Sequence, residues 1–168
     1  ILRDHFELVT HVADGLPAFT TVGLPDSAVR ESRERVRTAI RNAGFKFPND
    51  RITVNLAPAD IRKEGASFDL PIALGILAAT GALNASDDTA YAVVGELALD
   101  AKIQAVRGVL AVTLACHRHR VGTILVPTAN GPEAAAVGGL RVLAASTLQE
   151  AVAMLKGDPV SAAATPTI

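Results

Sequence analysis

The fold is decided by one stretch of the chain, Ser67-Phe68-Asp69-Leu70-Pro71-Ile72-Ala73-Leu74-Gly75-Ile76-Leu77-Ala78-Ala79-Thr80-Gly81. No charged residue occurs from Leu70 to Ala79, so we expect a helix that is buried on all sides. Pro71 suits a first helical turn, where its missing N–H removes no internal hydrogen bond. Gly81 suits a left-handed C-terminal end. The stretch therefore predicts a central helix that follows a strand and a polar loop.

Two polar residues, Ser67 and Asp69, stand at the start of this predicted helix. Either side chain can accept a hydrogen bond from the free N–H groups of the first turn, and we expect one of them to cap the helix. The alternative is catalytic, because a helix N-terminus favours the developing negative charge of a serine nucleophile. Local sequence favours the cap and leaves the alternative open.

The totals of the sequence exclude several classes of protein. A length of 168 residues fits one domain with a sizeable core. The net charge of -1 gives no global signal for binding nucleic acid or an anionic membrane. No apolar run reaches the roughly 18 residues of a membrane span. The single cysteine, Cys116, cannot form an internal disulfide, which is compatible with a reducing compartment.

Strand and helix patterns alternate along the whole chain. Residues 6–12 and 18–22 predict two strands, which we expect to pair as a hairpin about a turn at residues 13–17. Further strands are predicted at 51–56, 91–95, 123–127 and 140–143, with a tight hairpin over 96–104. Helices are predicted at 26–43, 109–119, 132–136 and 147–156, the last opening with a capping box at Thr147. The order predicts an α/β mixture with antiparallel and crossover connections.

The predicted helix 26–43 has Asp26 as its N-cap candidate and a basic outer face. We expect i,i+4 ion pairs between Arg30 and Glu34 and between Glu31 and Arg35. The remaining basic excess is a candidate contact surface for protein or nucleic acid, carried by Arg30, Arg33, Arg37, Arg41 and Lys46. The alternative is a solvated helix laced with ion pairs, and no aromatic residue within the helix offers base stacking.

No phosphate-binding loop of the Walker type and no cluster of cysteine and histidine residues occurs in the chain. His11 lacks a second ligand at metal spacing and is expected on a strand face. Residues 158–168 have no periodicity and predict a linker or tail, whereas 1–157 predict one domain. Because the first residue is Ile and the tail resembles a linker, we expect a processed product or a piece of a longer protein.

Several short motifs together resemble one family closely: Gly15-Leu16-Pro17-Ala18-Phe19, Val22-Gly23-Leu24-Pro25-Asp26, Glu31-Ser32-Arg33-Glu34-Arg35-Val36, Asn55-Leu56-Ala57-Pro58-Ala59-Asp60, Lys63-Glu64-Gly65, Phe68-Asp69-Leu70-Pro71-Ile72-Ala73 and Val94-Gly95-Glu96-Leu97-Ala98-Leu99. The chain resembles the N-terminal, ChlI-type domain of magnesium-chelatase-like AAA+ ATPases of the YifB/ComM type. The resemblance implies a bacterial, cytoplasmic protein with a following AAA+ module that binds ATP and Mg. It also implies a ring-shaped homo-oligomer and, for the ComM branch, DNA branch migration in natural transformation.

The resemblance extends to the fold of the Lon proteolytic domain and of ribosomal protein S5 domain 2, a mixed sheet with packed helices. It places Ser67 on the nucleophile position of Lon and Leu110 on the position of its catalytic lysine. An isobutyl group cannot accept the serine proton, and Asp69 replaces a glycine of Lon. Lys63 is the nearby amine. The resemblance therefore implies a non-catalytic chain without a cofactor of its own.

Three functions follow as expectations. The first is a module for assembly of the ATPase ring or for positioning its substrate, with Lys63, Glu64 and Asp69 as further contact candidates beside the basic helix. The second is a Lon-like serine hydrolase that uses Ser67, with Lys63 as base. The third is a DNA-binding module that uses the arginine-rich helix.

Overall fold

The computed structural model describes residues 7–23, 25–57, 66–83 and 91–157. Its elements run in the order β1 (Glu7–Ala13), β2 (Ala18–Val22), α1 (Ser27–Asn42), β3 (Arg51–Ala57), α2 (Asp69–Ala79), β4 (Tyr91–Val93), β5 (Glu96–Leu97), β6 (Ile103–Gln104), α3 (Val109–Arg118), β7 (Thr123–Pro127), α4 (Gly131–Ala135), β8 (Arg141–Ala145) and α5 (Leu148–Lys156). The predicted α/β mixture is confirmed. The predictions for residue 6 and for the tail at 158–168 lie outside the described residues.

The first sheet corrects the predicted hairpin. Its strand order is β1-β3-β2, so β3 lies between the two strands that the sequence predicts as partners. Strand β1 is antiparallel to β3 and β2 is parallel to it. The turn between β1 and β2 crosses two strand spacings, about 10 Å, which five residue steps of about 3.4 Å can span. The turn composition predicts a reversal of direction, but it does not determine which strands pair.

The central position of β3 follows from its burial. Ile52, Val54 and Leu56 alternate along it and are almost fully buried against the helices. A strand whose face is covered by helices gains from neighbours on both edges, because they complete its backbone hydrogen bonds away from water. The connection from β2 through α1 to β3 is therefore a parallel crossover and not part of a meander.

The second sheet, β4-β7-β8, is parallel and separates two apolar clusters. All five residues of β7 are buried, as expected of a parallel strand covered on both faces. Leu125 joins the main core, which includes α1, α2 and α5. Ile124 and Val126 join a smaller core with α3 and α4. Strand β7 therefore connects the two cores through the sheet.

Helix α2 is buried as predicted. Leu70, Ile72, Ala73, Ile76 and Leu77 are fully buried between the first sheet and α1. The helix begins at Asp69, with Pro71 in its first turn, and Gly81 beyond its end has the left-handed φ of +81° that was predicted. The predicted cap is wrong, because no side chain caps the first turn. The N–H of Leu70 instead donates to the backbone carbonyl of Gly95, at 3.0 Å.

The other helix ends follow their sequence signals. Asp26 caps α1 by accepting a 2.8 Å hydrogen bond from the Val29 N–H. Thr147 caps α5 through the Glu150 N–H, at 3.2 Å. The Glu150 carboxylate, however, accepts from the Ser146 N–H and not from that of Thr147. These contacts confirm the predicted caps and shift the reciprocal half of the capping box by one residue.

Gly23, between β2 and α1, admits no side chain. It has a φ of +105°, and a Cβ atom there would lie 1.9 Å from the carbonyl oxygen of Leu56. Atoms cannot approach that closely, and the obstacle is backbone at the end of the central strand. The glycine therefore lets the chain leave β2 and enter α1 in direct contact with β3.

Replacing Gly23 by alanine should lower the free energy of unfolding by about 3 kcal/mol or more, since backbone must move to relieve the clash. Gly44→Ala is the matched control, because Gly44 has a φ of +86° with nothing within 4 Å of its added Cβ. The control should cost only about 1–2 kcal/mol of backbone strain. Urea denaturation of both variants measures the difference, and equal losses would contradict the packing argument.

Candidate functional site

The Asp69 carboxylate, at the start of α2, is fully buried and accepts three hydrogen bonds. It accepts from Arg35 Nε at 2.9 Å and from Arg35 Nη2 at 3.2 Å, a two-pronged ion pair. It also accepts from the backbone N–H of Leu97 at 3.1 Å. One side chain thus connects α1, α2 and β5. The sequence predicted Asp69 as a contact candidate, but its side chain is fully buried and does not belong to an exposed surface.

The electrostatics of this group depend on its partners. Burial raises the pKa of the Asp69 carboxyl above its ordinary value, and the hydrogen bonds from Arg35 and Leu97 offset part of that rise. The hydrogen bond to Asp69 also raises the pKa of the Arg35 guanidinium. A buried charge without a partner is far more costly than a paired one. The pair is therefore stable only while both members are present.

The backbone near Asp69 completes the same junction. Ser67 and Leu70, on either side of the start of α2, both form backbone hydrogen bonds with Gly95. The Gly95 N–H donates to the Ser67 carbonyl at 3.1 Å, and the Gly95 carbonyl accepts from the Leu70 N–H. A Cβ added at Gly95 would lie 2.9 Å from a side-chain carbon of Leu70. The absence of a side chain at Gly95 therefore allows the segment before β5 to run directly along the start of the helix.

Ser67 lies half-exposed in a 3-10 turn, Ala66–Phe68, just before α2. Among the described residues, no lysine or histidine forms a hydrogen bond with its hydroxyl. Leu110, on the position assigned to the lost base, lies in α3 with its side chain 44% exposed. Lys63 and Glu64 lie outside the described residues.

The exposed side of α1 carries four arginines that we call the arginine stripe: Arg30, Arg33, Arg37 and Arg41. Three of them, Arg30, Arg33 and Arg37, line a cavity of about 370 Å³ with Phe19, Glu31 and Glu34. Arg33 is anchored by hydrogen bonds of 3.0 Å to the carbonyls of Arg30 and Phe19. The stripe is therefore partly preorganised and not a set of freely moving side chains.

Two aromatic rings outside the helix support the stripe. Phe19 and Phe47 stack with their ring centroids 6.1 Å apart. The guanidinium carbons of Arg37 and Arg41 lie 5.4 Å and 5.8 Å from the centroid of the Phe47 ring, within cation–π range. The sequence showed no aromatic residue within α1, but the fold brings these two beside it. Lys46, the fifth basic candidate, is exposed just before Phe47.

The predicted ion pairs of α1 are corrected. Arg35 does not pair with Glu31, because its guanidinium points inward to Asp69. Glu34 pairs with Arg37 at 3.5 Å, as an i,i+3 contact, and not with Arg30. Sequence reasoning thus missed Arg35 as the partner of the central helix. The sequence signal is only the spacing of Arg35 from two small residues, Ser32 at i−3 and Ala39 at i+4, which the structure shows to be completely buried.

Within the described ranges, no three His, Cys, Asp or Glu side chains gather where they could hold a metal ion. No helix in those ranges is long and apolar enough to span a bilayer. His11 is exposed on β1, as expected.

Comparison with known proteins connects these features to a family. A family model described as subunit ChlI of magnesium chelatase matches residues 9–130. Competence protein ComM of Haemophilus influenzae is 45% identical over 148 residues, which are 88% of this chain and 29% of that protein. YifB of Salmonella typhimurium is 46% identical over the same shares. A Mycobacterium tuberculosis protein, Rv2897c, is 38% identical over 152 residues, 90% of this chain and 30% of that protein.

The chain therefore spans less than a third of the length of these relatives. The range covered by the family model, residues 9–130, contains helices α1, α2 and α3. On this evidence the chain belongs to the magnesium-chelatase ChlI-subunit family, in its ComM/YifB-type branch.

Proposed function

We propose that this chain is a non-catalytic module of a longer magnesium-chelatase-like AAA+ ATPase, and that it serves assembly of the ATPase ring or positioning of substrate beside it. For the longer protein, the proposal includes a cytoplasmic location, an ATPase module that binds ATP and Mg, and a ComM-like role in DNA branch migration. Its support is the similarity to ComM and YifB together with the geometry around Asp69.

The observation that carries the non-catalytic part is the use of the Asp69 carboxylate. A general base needs access to the reacting proton. Asp69 is fully buried and already accepts three hydrogen bonds, from two nitrogens of Arg35 and from the Leu97 N–H. The polar group nearest in sequence to Ser67 is therefore committed to structure.

The arginine stripe supports the contact part of the proposal. Rings of identical subunits bring different surfaces of neighbouring copies together, so an exposed cationic surface can meet an acidic one on the next subunit. Anchored guanidinium groups lose little side-chain entropy on binding, which favours their use in a contact.

DNA binding through the same stripe is the second candidate. The cavity favours it, because three arginines line it and can approach phosphate groups. Two observations weaken it. Glu31 and Glu34 line the same cavity, and the Phe47 ring already contacts Phe19, Arg37 and Arg41, so it is not open for base stacking.

The hydrolase alternative is tested with a fluorophosphonate probe, which labels activated serines. We expect no labelling at Ser67, because the hydroxyl needs an adjacent base to become nucleophilic at neutral pH. The 168-residue chain and its Ser67→Ala variant are compared by mass spectrometry after labelling. Labelling of the parent chain that disappears in Ser67→Ala would overturn the non-catalytic proposal, and Lys63→Met would then identify the base.

The contact surface is tested in the longer protein with a triple variant, Arg30→Gln, Arg37→Gln and Arg41→Gln. Arg33 is retained, since it holds the Phe19 carbonyl. We expect ring assembly in the presence of ATP, measured by mass photometry, to weaken about tenfold or more, because three cationic contacts are removed. The matched control is Arg118→Gln, Arg120→Gln and Arg141→Gln, three exposed arginines outside α1, which should assemble normally.

The same two triple variants also test whether the arginine stripe binds DNA. If the stripe contacts phosphates, the salt dependence of DNA binding should fall by roughly one unit of slope per arginine removed. The control triple should leave the slope unchanged. DNA binding that is identical in both variants, or no binding by the unmodified chain at low salt, would end the DNA candidate without affecting the assembly result.

A further inference from the structure

Strand β2 forms one edge of the first sheet. Within the described residues, the order β1-β3-β2 gives β2 a strand neighbour on one side only. The Ala18 N–H donates to the Asp50 carbonyl on the β3 side, at 3.5 Å. Because the backbone groups of successive residues point to opposite sides of a strand, Phe19 and Thr21 direct their N–H and C=O groups to the outer side. The outer edge of β2 therefore carries a row of backbone donors and acceptors.

The composition of β2 suits pairing with a further strand. The segment Ala18-Phe19-Thr20-Thr21-Val22 contains no charged residue and no proline, and its last three residues are β-branched. Such a segment has high β propensity and lacks the charges that usually protect an exposed edge. An unprotected edge of this kind is a template for pairing between copies of a chain. Protection of this edge therefore has to come from another element of the fold.

Arg33 of α1 covers the edge. Its Nη1 donates a 3.0 Å hydrogen bond to the Phe19 carbonyl, which is one of the outward acceptors. Its Nε donates, also at 3.0 Å, to the Arg30 carbonyl one turn earlier in the helix. The second hydrogen bond orients the guanidinium plane, so the first does not depend on a freely moving side chain. A charged group is thus held on an acceptor that an added strand needs.

Two effects oppose strand pairing over Arg33. The hydrogen bond from its guanidinium to the Phe19 carbonyl is charge-assisted, and it is therefore stronger than a hydrogen bond between two backbone groups. A strand that paired over the guanidinium would also bury its charge without a carboxylate partner at that edge. The contact therefore protects β2 although β2 itself carries no charge.

We propose that Arg33 guards the open edge of β2, and that the interaction it prevents is edge-to-edge pairing with β2 of a second copy of this chain. Two copies of one strand can pair antiparallel about a two-fold axis, because each copy then uses the same backbone groups. This role separates Arg33 from the other members of the arginine stripe. It holds whether or not the stripe contacts a partner subunit or DNA.

Arg33→Ala tests the guard in the 168-residue chain. It uncovers the Phe19 carbonyl, and we expect self-association at least about tenfold tighter than in the unmodified chain, because pairing no longer breaks a charge-assisted hydrogen bond. Arg30→Ala is the matched control. It removes the same charge from the same helix and retains the backbone carbonyl to which Arg33 donates, so it should associate no more than the unmodified chain. Sedimentation velocity over a range of protein concentrations measures association, and circular dichroism confirms that both variants are folded.

Hydrogen exchange of individual amides locates the contact. In the unmodified chain, the outward N–H groups of Phe19 and Thr21 should exchange faster than those of Ala18 and Thr20, which point to β3. In Arg33→Ala, exchange at Phe19 and Thr21 should slow as the protein concentration rises, and exchange at Ala18 and Thr20 should not change. This alternation identifies pairing at the outer edge of β2, because association of unfolded chains does not preserve it.

Three results would overturn the proposal. The first is equal self-association of Arg33→Ala and Arg30→Ala. The second is association of Arg33→Ala during which the Phe19 and Thr21 amides exchange as fast as they do in the monomer. The third is slow exchange of these two amides in the monomeric unmodified chain, which would show that the edge is already paired, and this measurement requires no variant.

Discussion

The structure depends on one buried carboxylate. Asp69 begins the central helix α2, and its oxygens accept from the Arg35 guanidinium of α1 and from the Leu97 N–H of β5. Leu70 and Gly95 add backbone hydrogen bonds at the same junction. Helix α2 has apolar residues on every side, so apolar packing alone leaves its rotation and register weakly defined. The charged contacts at its first turn supply that definition.

This arrangement gives the start of α2 a structural use for its carboxylate, at a position that resembles a catalytic site. A serine before a buried helix has the backbone setting of a nucleophile, but the nearby carboxylate is used to hold α1 and β5 in place. The largest group of charged side chains on the outside of α1 is the arginine stripe. The α1 helix reaches its position through contacts on its inner face, with Arg35 pointing inward and the stripe outward.

Much of this could be predicted from the sequence, because it depends on local patterns. The burial of α2 followed from ten residues without a charge, and the ends of α1 and α5 followed from Asp26 and Thr147. The predictions that failed concern which strands and side chains far apart in the sequence contact each other. The turn at residues 13–17 predicts a reversal but cannot show that β3 inserts between β1 and β2. Glu31 and Arg35 are correctly spaced for a surface pair, but a buried carboxylate competes more strongly for a guanidinium than an exposed one does. Phe47 approaches the arginine stripe only through the loop after α1, which no pattern within the helix reveals.

The most direct measurement is a double-mutant cycle of Asp69→Ala and Arg35→Met, with the free energy of unfolding measured by urea denaturation. If the carboxylate holds α1 against α2, the coupling energy should be at least about 2 kcal/mol, because each single variant leaves the other charge without its partner. The exposed pair Glu34–Arg37 provides the control cycle, which should give less than about 0.5 kcal/mol. A coupling energy for Asp69 and Arg35 as small as that of the control would contradict the central role assigned to this pair.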